Sequence, residues 1–462
     1  MFALPGILAT IFVIYLRPQE VFTDLQRVPI LYLLLGLAIF GLALDLKLRL
    51  SRPTAAPQLT LVLLYIIWCG VTLVVNVTPD VAFSGIIDTM IPLVLFLLIA
   101  HGVQTFRALQ AVALVILVMA IFLAYIGVDQ RFSMKGCHAL TAESDREGTF
   151  DGRPCETKRE CDIDSPEPGT EYICEYVGKL DTSSVGLRVR YRGVLADPNE
   201  LSLALGVALP FAFALFERKR NATRMALLAL SLGLIGLCTV YTQSRGGQLV
   251  FMSVLGTYFV RRFGWKGLIL GAVTAIPMMM FGGRSGEEAE GSSAERLECW
   301  FTGIMLFREK PLFGVGKGLF TEYHFLTAHN AYVLAPAETG IVGFWLWSSI
   351  VYLSVKIPAM VLKRGAVAPA DGPAAAMAPV ARTWALAMLA AMVGMCVGIF
   401  FLSFCYHYVL WIYFGLCGAL YAAVKTHDPT FEVKITVREL LLILVGDLAI
   451  IGAIYTYARM KL

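Results

Sequence analysis

Charged residues are scarce in this chain of 462 residues: Asp, Glu, Lys and Arg make up 16% of it, against about a quarter of an ordinary soluble domain. Apolar residues rise to 58%, which excludes a soluble core wrapped in polar surface. A strong charge of one sign is also missing. The net charge is only +4, and the basic residues sit in short clusters between apolar runs. That pattern reports membrane topology, not nucleic-acid binding. The first apolar stretch lacks the basic leader and small-residue cleavage site of a secretory signal. Met1 to Leu16 therefore reads as a short first membrane helix. Repeats of the solenoid or inverted-transporter kind are lacking, and no Cys-x-x-Cys pair occurs.

What is present is a succession of apolar runs near membrane-spanning length, about 20 residues. Thirteen are read, near 2–16, 29–46, 58–76, 85–101, 108–128, 199–216, 224–241, 246–260, 267–281, 337–355, 383–402, 406–424 and 440–457. The expected fold is an all-α polytopic membrane bundle of about 12–13 transmembrane helices with two large extracytoplasmic loops. The chain divides into N-terminal helices (1–128), a Cys-containing loop (129–198), core helices (199–281), a second polar loop with an amphipathic helix (282–336) and C-terminal helices (337–462). Residues 364–382, rich in Ala, Pro and Gly, read as a flexible connector without a core.

Orientation follows from the short loops. One set holds Lys47, Arg49, Arg52, Arg107, Arg218, Lys219, Arg220, Arg224, Arg261, Arg262 and Lys266. It continues with Lys356, Lys363, Arg364, Arg382, Lys425, Lys434 and Arg438, while the opposite short loops hold only Arg17, Arg27 and Arg245. The positive-inside rule makes the first set cytoplasmic and both long polar segments periplasmic, in a bacterial inner membrane. Cysteine placement agrees. Cys137, Cys155, Cys161 and Cys174 crowd into the first long loop. An even cluster in a polar loop points to two disulfides in an oxidising compartment rather than to zinc; connectivity stays open.

Four polar features fall on the periplasmic side. The first is Arg188, Arg190 and Arg192 before Asp197-Pro198-Asn199. Asp197 suits a helix N-cap and Pro198 the first helical position, which accounts for those two but not for three alternating arginines. Any one of these, taken alone, is explained by snorkelling to lipid head groups. The second is Thr242-Gln243-Ser244-Arg245-Gly246-Gly247, a tight turn whose one charge, Arg245, lies close to membrane depth and needs a partner. The third is Ser292-Ser293-Ala294-Glu295, a capping box opening a helix with Leu297, Trp300, Phe301, Ile304 and Phe307 on one face. Arg284 and Arg296 flank its start, and after Pro311 come Gly314, Gly316 and Gly318. Without a preceding strand or a following Gly-Lys-Ser, that glycine run reads as a flexible turn and not a nucleotide loop. The fourth is Ala328-His329-Asn330, with Glu338-Thr339-Gly340 beyond it. His329 suits proton transfer near neutral pH; its bland alternative is a structural histidine at a helix start. His324 is a weaker candidate, and His101, His407 and His427 read as structural. Glu309 and Glu338 are acids able to orient a base, a role that the sequence does not decide.

Several arginines with one histidine, outside the cytoplasm, suit a lipid-diphosphate substrate. Arginine meets phosphate oxygens bidentately, stays charged and stabilises a departing diphosphate. In their order, Arg192, Asp197-Pro198-Asn199, Thr242-Gln243-Ser244-Arg245-Gly246, Arg296 to Trp300, Pro311-Leu312-Phe313-Gly314-Val315-Gly316 and His329-Asn330 resemble the O-antigen ligase and polymerase family. Arg17-Pro18-Gln19-Glu20 resembles N-termini in some of its branches. The resemblance covers 192–344 best. It implies a C-type membrane glycosyltransferase that moves a glycan from undecaprenyl diphosphate to a hydroxyl on a growing glycan, lipid core or protein, with inversion and with neither metal nor other cofactor. It makes His329 the catalytic histidine and Arg192, Arg245, Arg296 and Arg284 diphosphate-binding residues. The Cys-bearing loop departs from the family pattern. Two other classes stand beside this one. A transporter or flippase would place its charges and broken helices at mid-membrane, and a non-catalytic envelope scaffold would tolerate replacement of His329 and Arg245.

Overall fold

The computed structural model describes residues 1–141, 144–163, 166, 169–267, 269, 273, 287–365 and 373–461. In chain order the helices are α1 (Ala3–Leu16), α2 (Pro18–Val21), α3 (Ile30–Lys47), α4 (Leu59–Asn76), α5 (Pro79–Gly102), α6 (Phe106–Phe132), α7 (Lys158–Ile163), α8 (Pro198–Arg218), α9 (Ala222–Tyr241), α10 (Arg245–Phe263), α11 (Glu287–Glu309), α12 (Ala331–Gly365), α13 (Pro373–Gly398), α14 (Tyr408–His427) and α15 (Val437–Lys461). Among the described residues, ten are long and apolar enough to cross a membrane: α3, α4, α5, α6, α8, α9, α12, α13, α14 and α15. The chain is a multi-pass helical membrane protein.

Three of the thirteen expected spans fall outside that set. Helix α1 has 14 residues, short of the roughly 20 a bilayer needs. Helix α10 has 19 residues but carries Arg245, Arg261 and Arg262, and the stretch at 267–281 lies mostly outside the described residues. The connector is partly helical: α13 begins at Pro373, where proline suits a first turn and the following alanines favour helix. Helix α11 begins at Glu287, ahead of Ser292. The sequence Glu-Glu-Ala-Glu is helix-forming, with acids favoured near a positive helix end, so the capping-box start is not used.

The helices fall into two compact units. The first comprises Met1–Thr10, Tyr32–Ala113 and Ser285–Leu462. At its centre α14 packs along α5, and every residue from Val409 to Val424 is buried. A Cβ on Gly415 would come within 2.8 Å of Ile99 Cβ, and one on Gly418 within 2.8 Å of Ala100 Cβ. These small residues bring the two backbones close, which is how dispersion replaces the hydrophobic effect between membrane helices. Helix α12 packs on α4, α11, α13, α14 and α15.

The second unit comprises Ile11–Leu31 and Leu114–Arg284, with α8, α9 and α10 in mutual contact. It also holds a four-stranded antiparallel sheet in the order β2-β1-β3-β4, from β1 (Lys135–Thr141), β2 (Ser144–Pro154), β3 (Tyr172–Gly178) and β4 (Thr182–Ser183). The first polar segment is therefore folded, an addition to the all-α expectation. Cys137 is bonded to Cys161 and Cys155 to Cys174. Around them, Tyr172 completes a small buried cluster in a segment otherwise too polar to hold a core.

Candidate functional site

In the second unit, the candidates gather at the heads of α8 and α10. Asp197 caps α8, its carboxylate accepting from Asn199 N at 2.6 Å and Asn199 Nδ2 at 2.7 Å, and Pro198 opens the helix. Ser244 caps α10, accepting from Gly247 N at 3.0 Å. A Cβ on Gly247 would run into the Ser202 side chain, so glycine lets the first turns of the two helices touch. Two positive helix ends side by side favour an anion. Arg245 is the first residue of α10 and is exposed.

The three alternating arginines take three different roles. Arg190 is buried, its Nε donating to Ser183 O at 2.9 Å and its Nη2 to Ser183 Oγ at 3.0 Å. It ties the chain to β4. Arg188 donates to Thr242 O at 3.1 Å and Asn199 Oδ1 at 3.3 Å, joining the hairpin before α10 to the head of α8. Arg192 is half-buried and donates to the carbonyls of Glu20 and Leu180. Beside it, Arg17 pairs with Glu20 at 2.7 Å and lies over Gly193, where a Cβ would strike its guanidinium. Arg17 and Glu20 are thus neighbours of Arg192, which sequence reasoning registered only as part of a terminal motif. Tyr191 donates its phenol to Leu16 O at 2.7 Å, and burial pushes that phenol up to about 12, keeping the donor protonated.

In the first unit, His329 is the second residue before α12 and is half-buried. Asn330, fully buried, accepts from Tyr332 N at 2.9 Å through its side chain. Arg296 lies half-buried on α11, the helix whose Trp300 packs edge-on to Phe400 at 5.6 Å and whose Gly303 meets Val333 and Phe320. Arg284 lies outside the described residues. His324 sits 3.8 Å from Cys299 Sγ, but burial pushes that thiol up to about 11, which removes the thiolate a nucleophile would need. Glu309 ends α11 in an exposed position.

The glycine run is not a flexible turn. Helix α12 breaks at Gly340 (φ 64°), and the segment 311–320 lies along the break. Val315 N donates to Ala337 O at 2.9 Å, Gly316 N to Glu338 O at 2.9 Å and Ile341 N to Pro311 O at 2.8 Å. The Glu338 carboxylate accepts from Gly318 N at 2.8 Å and Phe320 N at 3.1 Å. From α4, Trp68 donates to Thr339 O at 2.8 Å. Backbone groups freed by a broken membrane helix need such partners, and glycine allows the close approach. Glu338 thus holds this loop, where the sequence left open whether it orients a base. The signal for this lay in Gly314, Gly316, Gly318 and Gly340 together, since a loop and a broken helix with matching glycines can press backbone to backbone.

Residues 229–348 match the family model described as O-antigen ligase. The match runs from within α9 to the middle of α12 and takes in Arg245, Arg284, Arg296 and His329, while Arg192 and Asp197 precede it. No curated protein matches the chain significantly. Over residues 229–348, this multi-pass helical chain is thus similar to the O-antigen ligase family.

Proposed function

We propose that this protein is an inner-membrane glycosyltransferase with its working face in the periplasm. It moves an oligosaccharide or polysaccharide from undecaprenyl diphosphate to a hydroxyl of a growing glycan or a lipid core. The observation that carries this is the O-antigen ligase match, which contains both Arg245 at the head of α10 and His329 before α12. His329 takes the proton of the acceptor hydroxyl. The freed oxygen attacks the anomeric carbon, the bond from that carbon to the diphosphate oxygen breaks, and the configuration inverts. Diphosphate leaves with the bonding electrons. Arg245, the two adjacent helix heads, Arg192, Arg296 and Arg284 are assigned to its charge. In this scheme guanidinium groups take the place of a divalent cation.

The test is a reconstituted assay with lipid-linked glycan that reads donor binding and product separately. His329→Ala should bind donor normally and transfer about 10²–10⁴-fold more slowly, the usual cost of losing a general base. Full transfer by that variant would remove His329 from the mechanism, full transfer by Arg245→Ala would remove Arg245 from it, and no transfer by the wild-type protein would turn the assignment toward a scaffold.

A further inference from the structure

His329 has a backbone conformation that is uncommon outside glycine. Its φ is 49°, in the left-handed region that L side chains disfavour and glycine accepts. Such a residue persists only where its surroundings over-determine it. Here the surroundings are the turn 399–407, between α13 and α14. Ser403 Oγ accepts from His329 N at 2.8 Å and from Thr327 Oγ1 at 2.8 Å. On either side of that contact, Ala331 N donates to Ile399 O at 2.9 Å, and Cys405 Sγ lies 3.3 Å from Ala331 O. One short turn thus grips residues 327, 329 and 331 in succession, and Ser403 Oγ is the acceptor of the His329 backbone N–H.

We infer that Ser403 is the positioning residue for His329: its hydroxyl holds the histidine backbone in the left-handed conformation and so aims the imidazole. This rests on reading His329 as the base. A serine hydroxyl has two lone pairs, and both are used, one on His329 and one on Thr327. With the hydroxyl gone, the His329 N–H loses this acceptor, the left-handed φ loses that support, and the ring shifts as φ moves toward the ordinary region. Misplacing a reacting group by about 1 Å is enough to cost on the order of a hundredfold in rate.

The experiment uses full-length protein in lipid nanodiscs, with turnover of a lipid-linked glycan and thermal unfolding measured side by side. Ser403→Ala should lower kcat about tenfold or more, leaving the KM for donor and the midpoint of unfolding near wild type. Ser403→Thr, which keeps the acceptor, should restore most of kcat. In a His329→Ala background, removing the Ser403 hydroxyl should leave the residual rate unchanged, because there is no imidazole left to aim. Wild-type kcat in Ser403→Ala overturns the inference, as does an equal loss in both backgrounds, which a merely structural serine would give. If the alanine variant does not fold, Ser403→Cys, similar in size and a poor acceptor, carries the same two outcomes. Full transfer by His329→Ala alone would instead overturn the assignment of the base, whatever Ser403 does.

Discussion

Single residues differ here by what their charged ends touch. Arg190 spends its guanidinium on Ser183 and is buried, whereas Arg245 stands exposed at a helix head. Their alanine variants should therefore fail in different ways. Arg245→Ala should fold normally, bind the lipid-linked donor about tenfold to a hundredfold more weakly, and slow the transfer step too, since a charge-assisted hydrogen bond is worth about 1.5–3 kcal/mol and strengthens as charge develops. Arg245→Lys should recover only part, because a point charge cannot reproduce a two-pronged contact. Donor affinity and single-turnover rate measure both, and wild-type values for Arg245→Ala would return Arg245 to lipid snorkelling. Arg190→Ala should instead lower the unfolding midpoint, through the loss of a buried charged group's ties to β4.

Among the elements, the broken α12 and the loop along it form one device. A Cβ at Gly340 would strike the Leu312 carbonyl, and one at Gly314 would strike the Glu338 backbone. Both glycines also have positive φ, at 64° and 65°. Gly340→Ala should cost about 2–3 kcal/mol, the sum of left-handed strain and overpacking, read as a fall in the thermal unfolding midpoint. An unchanged midpoint would mean that the loop does not lie against the break. Because the loop leads from α11 to the turn carrying His329, the same variant should also reduce transfer.

For the whole molecule, the governing quantity is the distribution of basic residues between loops. Under the proposed orientation, the positive-inside rule assigns Arg218 to Arg224 to the cytoplasm and the Cys-bearing sheet to the periplasm. A single cysteine placed at 220 should resist a membrane-impermeant thiol reagent in intact cells, while one placed at 290 should react. The reverse pattern would sink the orientation and the proposed mechanism with it. The same proposed orientation would put the sheet in an oxidising compartment. Non-reducing mass spectrometry of protein from its native host should then find Cys137 linked to Cys161 and Cys155 to Cys174. Four free thiols would contradict it. Each bridge closes a short loop and is expected to contribute about 2–4 kcal/mol, chiefly by restricting the unfolded chain.

The helical membrane class and most span positions could be read from the sequence, though not the span number, because a bilayer asks one local thing of each segment: enough consecutive apolar residues to match its thickness. Asp197 as a cap followed the same logic, since capping involves only a few neighbouring residues. Distinguishing Arg190 from Arg192 did not, because their alternation is identical and only their partners in the fold tell them apart: Ser183, seven residues before Arg190, and Glu20, 172 residues before Arg192. The cysteine pairing was equally out of reach, since four cysteines allow three connectivities and spatial neighbours choose one. The start of α11 was misread because a good capping box is outweighed when the residues before it are themselves strong helix formers. The role of Ser403 lay furthest from view: it sits 74 residues after His329, in an unremarked turn between membrane helices. Local chemistry determined most of the segments apolar enough to cross a membrane and which residues can carry charge or protons. Only the tertiary structure decided which of those residues are held, by what, and in which conformation, because contacts between segments far apart in the chain leave no pattern in either one alone.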